Sequence, residues 1–119
     1  MTDVEEIYAA VEDLEGEMLS FFREFLAIPT ENPPGRNYPE GADFLASKLR
    51  EFGYRPEKVE VSEAVVEEHY PGRSNLPRVN VLGRKDGDAD GPDVHFTGHF
   101  DVVPAGEDWT KDPYDPVVE

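Results

Sequence analysis

The sequence contains no cysteine, few basic residues and no long apolar run. Without cysteine the chain forms neither disulfide bonds nor thiolate metal sites, so a metal ion would have to be held by His, Asp or Glu. The apolar stretches are far shorter than a membrane span, and the N-terminus carries acidic residues where a signal peptide needs positive charge. We therefore expect a cytoplasmic protein without a membrane partner.

Basic residues are outnumbered by acidic ones, 11 to 27, which gives a formal net charge of −16. The basic residues are scattered, and only Arg84 and Lys85 are adjacent. Binding to a phosphate backbone needs a local basic cluster to overcome such a charge. The composition therefore argues against a nucleic-acid partner.

The acidity has two interpretations. Acidic runs such as Glu5–Glu6 are commonly no more than solvated surface. Adaptation to high salt is the other interpretation, because the Debye length falls to about 3 Å at molar salt and makes self-repulsion tolerable. The chain has four lysines against seven arginines, which modestly favours the halophilic interpretation.

Hydrophobic periodicity predicts two helices. The 119 residues suffice for one small domain. Apolar residues recur every three or four positions from Thr2 to Ile28, with a capping box at Thr2 and a stop at Pro29. The same spacing predicts a second helix over Pro39–Phe52, which should end at Gly53 and pack on a sheet.

Alternating apolar and polar residues predict three strands after these helices, at Lys58–Ser62, Arg78–Leu82 and Asp93–Thr97. The polar run Lys85–Pro92 predicts a turn, and therefore an antiparallel pairing of the last two strands. The order helix, helix, strands indicates an α/β fold. Three short strands and two helices leave one sheet face poorly covered, so the domain is expected to be incomplete.

The chemically informative residues are His99 and Asp101. In extended backbone, residues two apart project to the same side, so the imidazole and the carboxylate should share one face at the end of a strand. This pair suits a metal-binding His oriented by a carboxylate. The alternative is an ordinary surface or hydrogen-bonded His, since such a triplet is frequent by chance. His95 is either buried in the strand or paired with a carboxylate, and His69 is expected in an exposed loop.

The segment around this pair resembles a known motif. Residues Thr97–Gly106 read TGHFDVVPAG and are followed by Trp109 and by Asp112–Tyr114. This pattern resembles the first metal-binding motif of the co-catalytic zinc hydrolases that include acetylornithine deacetylase, succinyl-diaminopimelate desuccinylase, aminoacylase and carboxypeptidase G. Other segments occur in the same order as in that family, namely the opening helix, Phe25–Gly35, Phe44–Leu45, Phe52–Tyr54 and Arg78–Leu82.

The resemblance implies a metal-dependent amidohydrolase that cleaves an N-acyl amino acid or a small peptide. It implies that His99 is the first zinc ligand and that Asp101 is the catalytic acidic residue that orients this imidazole. Two ions, zinc or cobalt, and a homodimeric complete enzyme are implied as well. The residues at Trp109 and Asp112–Tyr114 match a loop expected to shape the mouth of the site.

In that family the remaining metal ligands and the general base follow later in the chain. The resemblance thus implies that residues 1–119 are the N-terminal part of a zinc-peptidase-like catalytic domain, without the second, dimerisation domain. We expect such a fragment to be inactive and to bind metal weakly, because a catalytic zinc needs about three protein ligands.

Other interpretations remain open. The chain could be a non-catalytic binding or interaction module that keeps the partial fold, or one half of an enzyme completed by a separately encoded piece. The substrate class is open among deacetylase, desuccinylase and peptidase chemistry. The Asn32–Gly35 loop and the His99 motif favour the first two.

Overall fold

The computed structural model describes residues 3–88 and 90–119. They form four helices and two strands, which in chain order are α1 (Val4–Asp13), α2 (Glu15–Leu26), α3 (Tyr38–Glu51), β1 (Arg55–Glu60), α4 (Glu63–His69) and β2 (Val79–Arg84). The expected mixture of helices and strands is confirmed. No helix of the described residues is long and apolar enough to cross a membrane. The backbone divides into two compact units. The first unit combines Met1–Ile28 with Asp108–Glu119, and the second unit is Pro29–Glu107.

The first unit contains two helices where periodicity predicted one. The predicted cap at Thr2 lies outside the described residues, and α1 is capped by Asp3, whose carboxylate accepts from the Glu5 amide at 3.3 Å. The helix breaks at Leu14, where ψ is −3°. Gly16 follows at the start of α2, and glycine weakens a helix by about 1 kcal/mol relative to alanine. The single helix over 2–28 was therefore wrong at this position.

Apolar side chains of α1 and α2 follow the predicted spacing but stay half-exposed, among them Ile7, Val11 and Met18. Within the unit, the Phe21 and Phe25 rings lie 6.0 Å apart. Arg23 Nε donates to the Pro116 carbonyl at 3.0 Å, which ties α2 to the 108–119 segment.

The second unit is organised by α3, which lies within one residue of its predicted bounds at each end. Its N-cap, Asn37, has a left-handed φ of 57°, and its side-chain amide donates to the Pro29 carbonyl at 2.9 Å. Small residues such as Ala42 and Ala46 are buried on its inner face. The helix ends as predicted, because Gly53 supplies a φ of +81° that other residues rarely adopt.

Helix α3 packs against an antiparallel ribbon formed by β1 and β2. The register pairs Arg55 with Arg84 at one end and Glu60 with Val79 at the other. A Cβ placed on Gly83 would meet the Leu49 side chain at 3.0 Å, so the missing side chain lets helix and ribbon approach closely. The first two predicted strands are confirmed with small shifts, as is the packing of the second helix on a sheet.

The third predicted strand, Asp93–Thr97, was wrong. This segment has no regular secondary structure and joins no ladder, and the strand paired with β2 is β1. The side chains of Val94 and Phe96 are 77% and 87% exposed. Alternation describes which faces side chains occupy, but a strand forms only where another backbone supplies hydrogen bonds. The predicted antiparallel pairing across the 85–92 turn was wrong for the same reason.

Helix α4 was not predicted, and His69 at its end was expected in a loop. It has seven residues and buries Val66, and its last residue is the exposed His69. So short a helix carries almost no periodic signal.

Candidate functional site

His99 and Asp101 come together as the spacing predicts. His99 Nδ1 lies 3.0 Å from Asp101 Oδ1 and 3.0 Å from the Asp101 backbone oxygen. Both neighbours are acceptors, so Nδ1 carries the proton and the lone pair of a neutral ring is on Nε2. The His99 side chain is 83% exposed and that of Asp101 is 34% exposed. Nε2 makes no hydrogen bond with the described residues, which leaves it available to an external ligand.

The pair is held by a second segment, Thr30–Gly35. Residues Glu31 and Val102 form an isolated parallel bridge, in which the Asn32 amide donates to the Val102 carbonyl at 2.7 Å. The buried Thr30 hydroxyl donates to the Phe100 carbonyl at 2.6 Å. These bonds tie the backbone on both sides of Asp101 to the segment that follows α2 in sequence.

Asn32 also contacts the pair directly. Its side-chain amide donates to Asp101 Oδ2 at 3.1 Å, while Oδ1 accepts from His99. Each carboxylate oxygen thus has a different partner.

The loop after Asn32 is anchored by Arg78. The guanidinium donates to the Pro34 carbonyl at 2.6 Å and to the Gly35 carbonyl at 3.0 Å. It also lies 5.0 Å from the ring centroids of both Tyr38 and Tyr70. This stacking and hydrogen bonding use the planar faces and the fork of donors that distinguish arginine from lysine.

Asp101 is kept ionised by its surroundings. The hydrogen bond from Asn32 is the largest cause that lowers the pKa of the Asp101 carboxyl; partial burial opposes it, and the bond to His99 adds to the lowering. Burial, followed by the negative charge of Asp101, raises the pKa of the neighbouring Tyr38 phenol. The site therefore combines an ionised carboxylate with a protonated phenol.

The described residues contain no group of three or more His, Asp or Glu side chains able to hold a metal ion. His95 is exposed in the irregular segment before the site, and His69 is exposed at the end of α4. The donor chemistry of His99 fits a divalent ion such as zinc, but one imidazole and its carboxylate neighbour do not complete a coordination shell.

The matched loop at Asp112–Tyr114 belongs to the first unit. Asp112 Oδ1 accepts from the Tyr114 amide at 2.8 Å, which is a local turn. Its expected part in shaping the mouth of the site stays a prediction.

The pairing of His99 with Asp101 was predicted from the sequence and is confirmed, their metal-binding and catalytic roles stay predictions, and the residues that support the pair were missed. The Asn32–Gly35 loop was noted, but nothing in the sequence pairs Asn32 with a carboxylate 69 positions later. Arg78 and Tyr38 were likewise not singled out, since their contacts connect distant parts of the chain.

An oriented imidazole with a free nitrogen beside a carboxylate is the kind of group that hydrolytic metal enzymes use. Comparison with known proteins found similarity to N-formyl-4-amino-5-aminomethyl-2-methylpyrimidine deformylase of Bacillus subtilis (strain 168), 30% identical over 111 residues that cover 90% of this chain and 23% of the relative. Succinyl-diaminopimelate desuccinylase of Methylocella silvestris is 34% identical over 105 residues, which cover 86% of this chain and 23% of the relative.

The chain therefore spans about a quarter of the length of these relatives. Both names describe enzymes that remove an acyl group. The similarity supports a deacylase- or peptidase-like superfamily and nothing finer than that. No family model matches the chain. No solved structure matches it either.

Proposed function

We propose that this chain contributes the first metal ligand of a metal-dependent amidohydrolase that removes an acyl group from a small substrate. The chain corresponds in this proposal to the N-terminal part of the catalytic domain, and the complete enzyme is a homodimer with zinc or cobalt. On its own, the chain is inactive.

The observation that carries this proposal is the state of His99. Its Nδ1 faces two acceptor oxygens at 3.0 Å, so Nε2 has the lone pair that a metal ion needs. A carboxylate behind a ligating histidine is common in zinc sites, where it fixes the tautomer and raises the basicity of the ligand. The acyl-removing relatives support hydrolysis as the reaction.

Each residue has a defined part. His99 would hold the ion through Nε2, and Asp101 would keep the proton on Nδ1 and the ring in place. A bound zinc or cobalt ion supplies a Lewis acid and lowers the pKa of water toward neutrality. Since Asp101 is ionised, its negative charge would make the His99 imidazole a more basic ligand for such an ion.

The proposed substrates are N-acyl amino acids or small peptides. The names of the relatives point to removal of an N-formyl group in one case and of a succinyl group in the other. We therefore favour a deacylase over a peptidase.

The test compares His99→Ala with His95→Ala in the protein encoded by the complete gene, assayed on N-formyl, N-acetyl and N-succinyl amino acids with zinc or cobalt. His95 is the matched control, because it is exposed and lies four positions earlier on the same segment. We expect His99→Ala to reduce hydrolysis and bound metal to background, and His95→Ala to retain both.

Hydrolysis that survives His99→Ala with the metal content unchanged would overturn the proposal. If the 119-residue chain alone hydrolyses these substrates and His99→Ala abolishes the hydrolysis, the proposed inactivity of the chain is wrong. The assignment of His99 as a metal ligand would then still stand.

A non-catalytic interaction module is a second candidate, favoured by the exposed Val94 and Phe96 side chains. Unpaired apolar segments of this kind attract partner strands. If this second candidate is correct, the protein encoded by the complete gene shows no metal-dependent hydrolysis. Its complex with a partner is then abolished by Phe96→Ser.

A further inference from the structure

Asp101 has two oxygens, and each is used by a different residue. Oδ1 lies 3.0 Å from His99 Nδ1, and Oδ2 accepts the Asn32 amide at 3.1 Å. A carboxylate bonded on one side only can rotate about its terminal bond, because that torsion is broad. The second bond, from Asn32, opposes this rotation and keeps Oδ1 facing the imidazole, and the Tyr38 phenol, which also interacts with Asp101, adds to the restraint.

Asn32 is itself fixed to the same backbone. Its main-chain amide donates to the Val102 carbonyl at 2.7 Å, and the Val102 amide donates to the Thr30 carbonyl at 2.9 Å. The Asn32 side chain and Asp101 are therefore connected both through the side-chain bond and through the bridge beside it. The backbone hydrogen bonds of the bridge therefore fix the distance between Asn32 and Asp101.

The residues that follow Asn32 in the loop are held by Arg78. The guanidinium bonds the carbonyls of Pro34 and Gly35, and it lies so close to Gly35 that a Cβ there would overlap it. Stacking of Arg78 on Tyr38 and Tyr70 holds the guanidinium in turn.

We propose that Asn32 is a positioning residue, whose amide locks the Asp101 carboxylate so that His99 is held with its proton on Nδ1 and Nε2 free. The role in catalysis rests on the proposed function above, since it matters there only if His99 binds the metal. The positioning itself is a property of this chain and can be measured without the reaction.

The test uses the 119-residue chain labelled with ¹⁵N at histidine, and compares the wild type with Asn32→Asp and Asn32→Ala. Long-range ¹H–¹⁵N spectra at about pH 8.5, where free imidazole is neutral, report which nitrogen carries the proton. We expect His99 to be mainly the Nδ1–H tautomer in the wild type. Both variants should shift the tautomer ratio about two- to tenfold toward Nε2–H, the equilibrium equivalent of one lost hydrogen bond.

Asn37→Asp is the matched control. This substitution also replaces a side-chain amide by a carboxylate. The Asn37 amide donates to the Pro29 carbonyl and has no contact with Asp101 among the described hydrogen bonds. We expect Asn37→Asp to leave the His99 tautomer unchanged. Unshifted amide signals from α3, β1 and β2, recorded on uniformly ¹⁵N-labelled samples of each variant, show that the variant is folded. If the added carboxylate of Asn32→Asp unfolds the loop, Asn32→Ala alone tests the proposal.

A zinc titration of the same samples adds a second readout. We expect the zinc affinity of His99 to fall about 10-fold in the Asn32 variants, as for other residues that support a ligand. Folded Asn32 variants with an unchanged His99 tautomer, or an equal shift in Asn37→Asp, would overturn the positioning role. If zinc does not perturb His99 in the wild type, the ligand assignment fails, while the tautomer still decides the role of Asn32.

Discussion

Phe96 and Phe100 lie four residues apart in one segment without regular secondary structure, yet their surroundings differ. The Phe96 side chain is 87% exposed, whereas the Phe100 ring packs edge-on against Tyr38 with centroids 5.5 Å apart. The Phe100 carbonyl also accepts the Thr30 hydroxyl. The half that carries His99 and Asp101 is thus ordered by the 30–35 loop and not by a sheet, so substitutions in the two halves should differ in their effect on stability.

The largest effect is expected from Gly35→Ala, which attacks the loop that supports the site. Gly35 has a φ of +98°, and a Cβ would overlap the Arg78 guanidinium. We expect the free energy of unfolding in urea to fall by about 3 kcal/mol, because backbone strain and a steric clash add.

Gly72→Ala is the control for this substitution. Gly72 has a comparable φ of +76° but open space around it, so only the strain, about 1 kcal/mol, should remain. Equal losses in the two variants would show that Arg78 does not pack on Gly35 as described.

A direct comparison of the two halves comes from Phe100→Ala and Phe96→Ala. Loss of the half-buried Phe100 ring should lower the free energy of unfolding by about 2 kcal/mol, roughly half the cost of deleting a fully buried phenylalanine. The change at Phe96 should stay within about 0.5 kcal/mol, as for other exposed positions. Urea unfolding followed by circular dichroism measures both, and a larger loss at Phe96 would reverse the comparison.

How far the sequence predicts this fold depends on the distance between interacting residues. Helix α3 was predicted almost to the residue, because its apolar spacing, Pro39 and Gly53 are local signals. The His99–Asp101 pair was predicted for the same reason, as its members are two positions apart. The strand at Asp93–Thr97 failed, because its alternation does not reveal whether a partner exists, and Asn32 and Arg78 were missed because their partners are remote in the chain.

The smallest effect concerns acid stability. The bond from Asn32 lowers the pKa of Asp101, so ionised Asp101 stabilises the fold above the pKa of an unfolded aspartate, about 3.9, and this stabilisation is lost as the pH falls through the lower folded value. Asn32→Ala raises the folded pKa toward its ordinary value. The stability difference between wild type and variant should therefore be present at about pH 6 and shrink below about pH 4.

Urea midpoints at several pH values test this prediction, with Asn37→Ala as the control whose stability difference should not depend on pH. The ¹³C titration of the Asp101 carboxyl gives the same answer directly. An identical titration midpoint in wild type and Asn32→Ala would contradict the assigned cause.

The central claim is that His99 Nε2 is the nitrogen prepared for a metal ion, and zinc titration of the ¹⁵N-histidine-labelled chain tests it most directly. His69 and His95 are internal controls, since both are exposed and, among residues 3–88 and 90–119, neither has the carboxylate contact that His99 makes with Asp101. The account predicts that Nε2 of His99 shifts at the lowest zinc concentration, while the other two rings respond later. A stronger response at His69 or His95, or zinc bound through Nδ1 of His99, would contradict it.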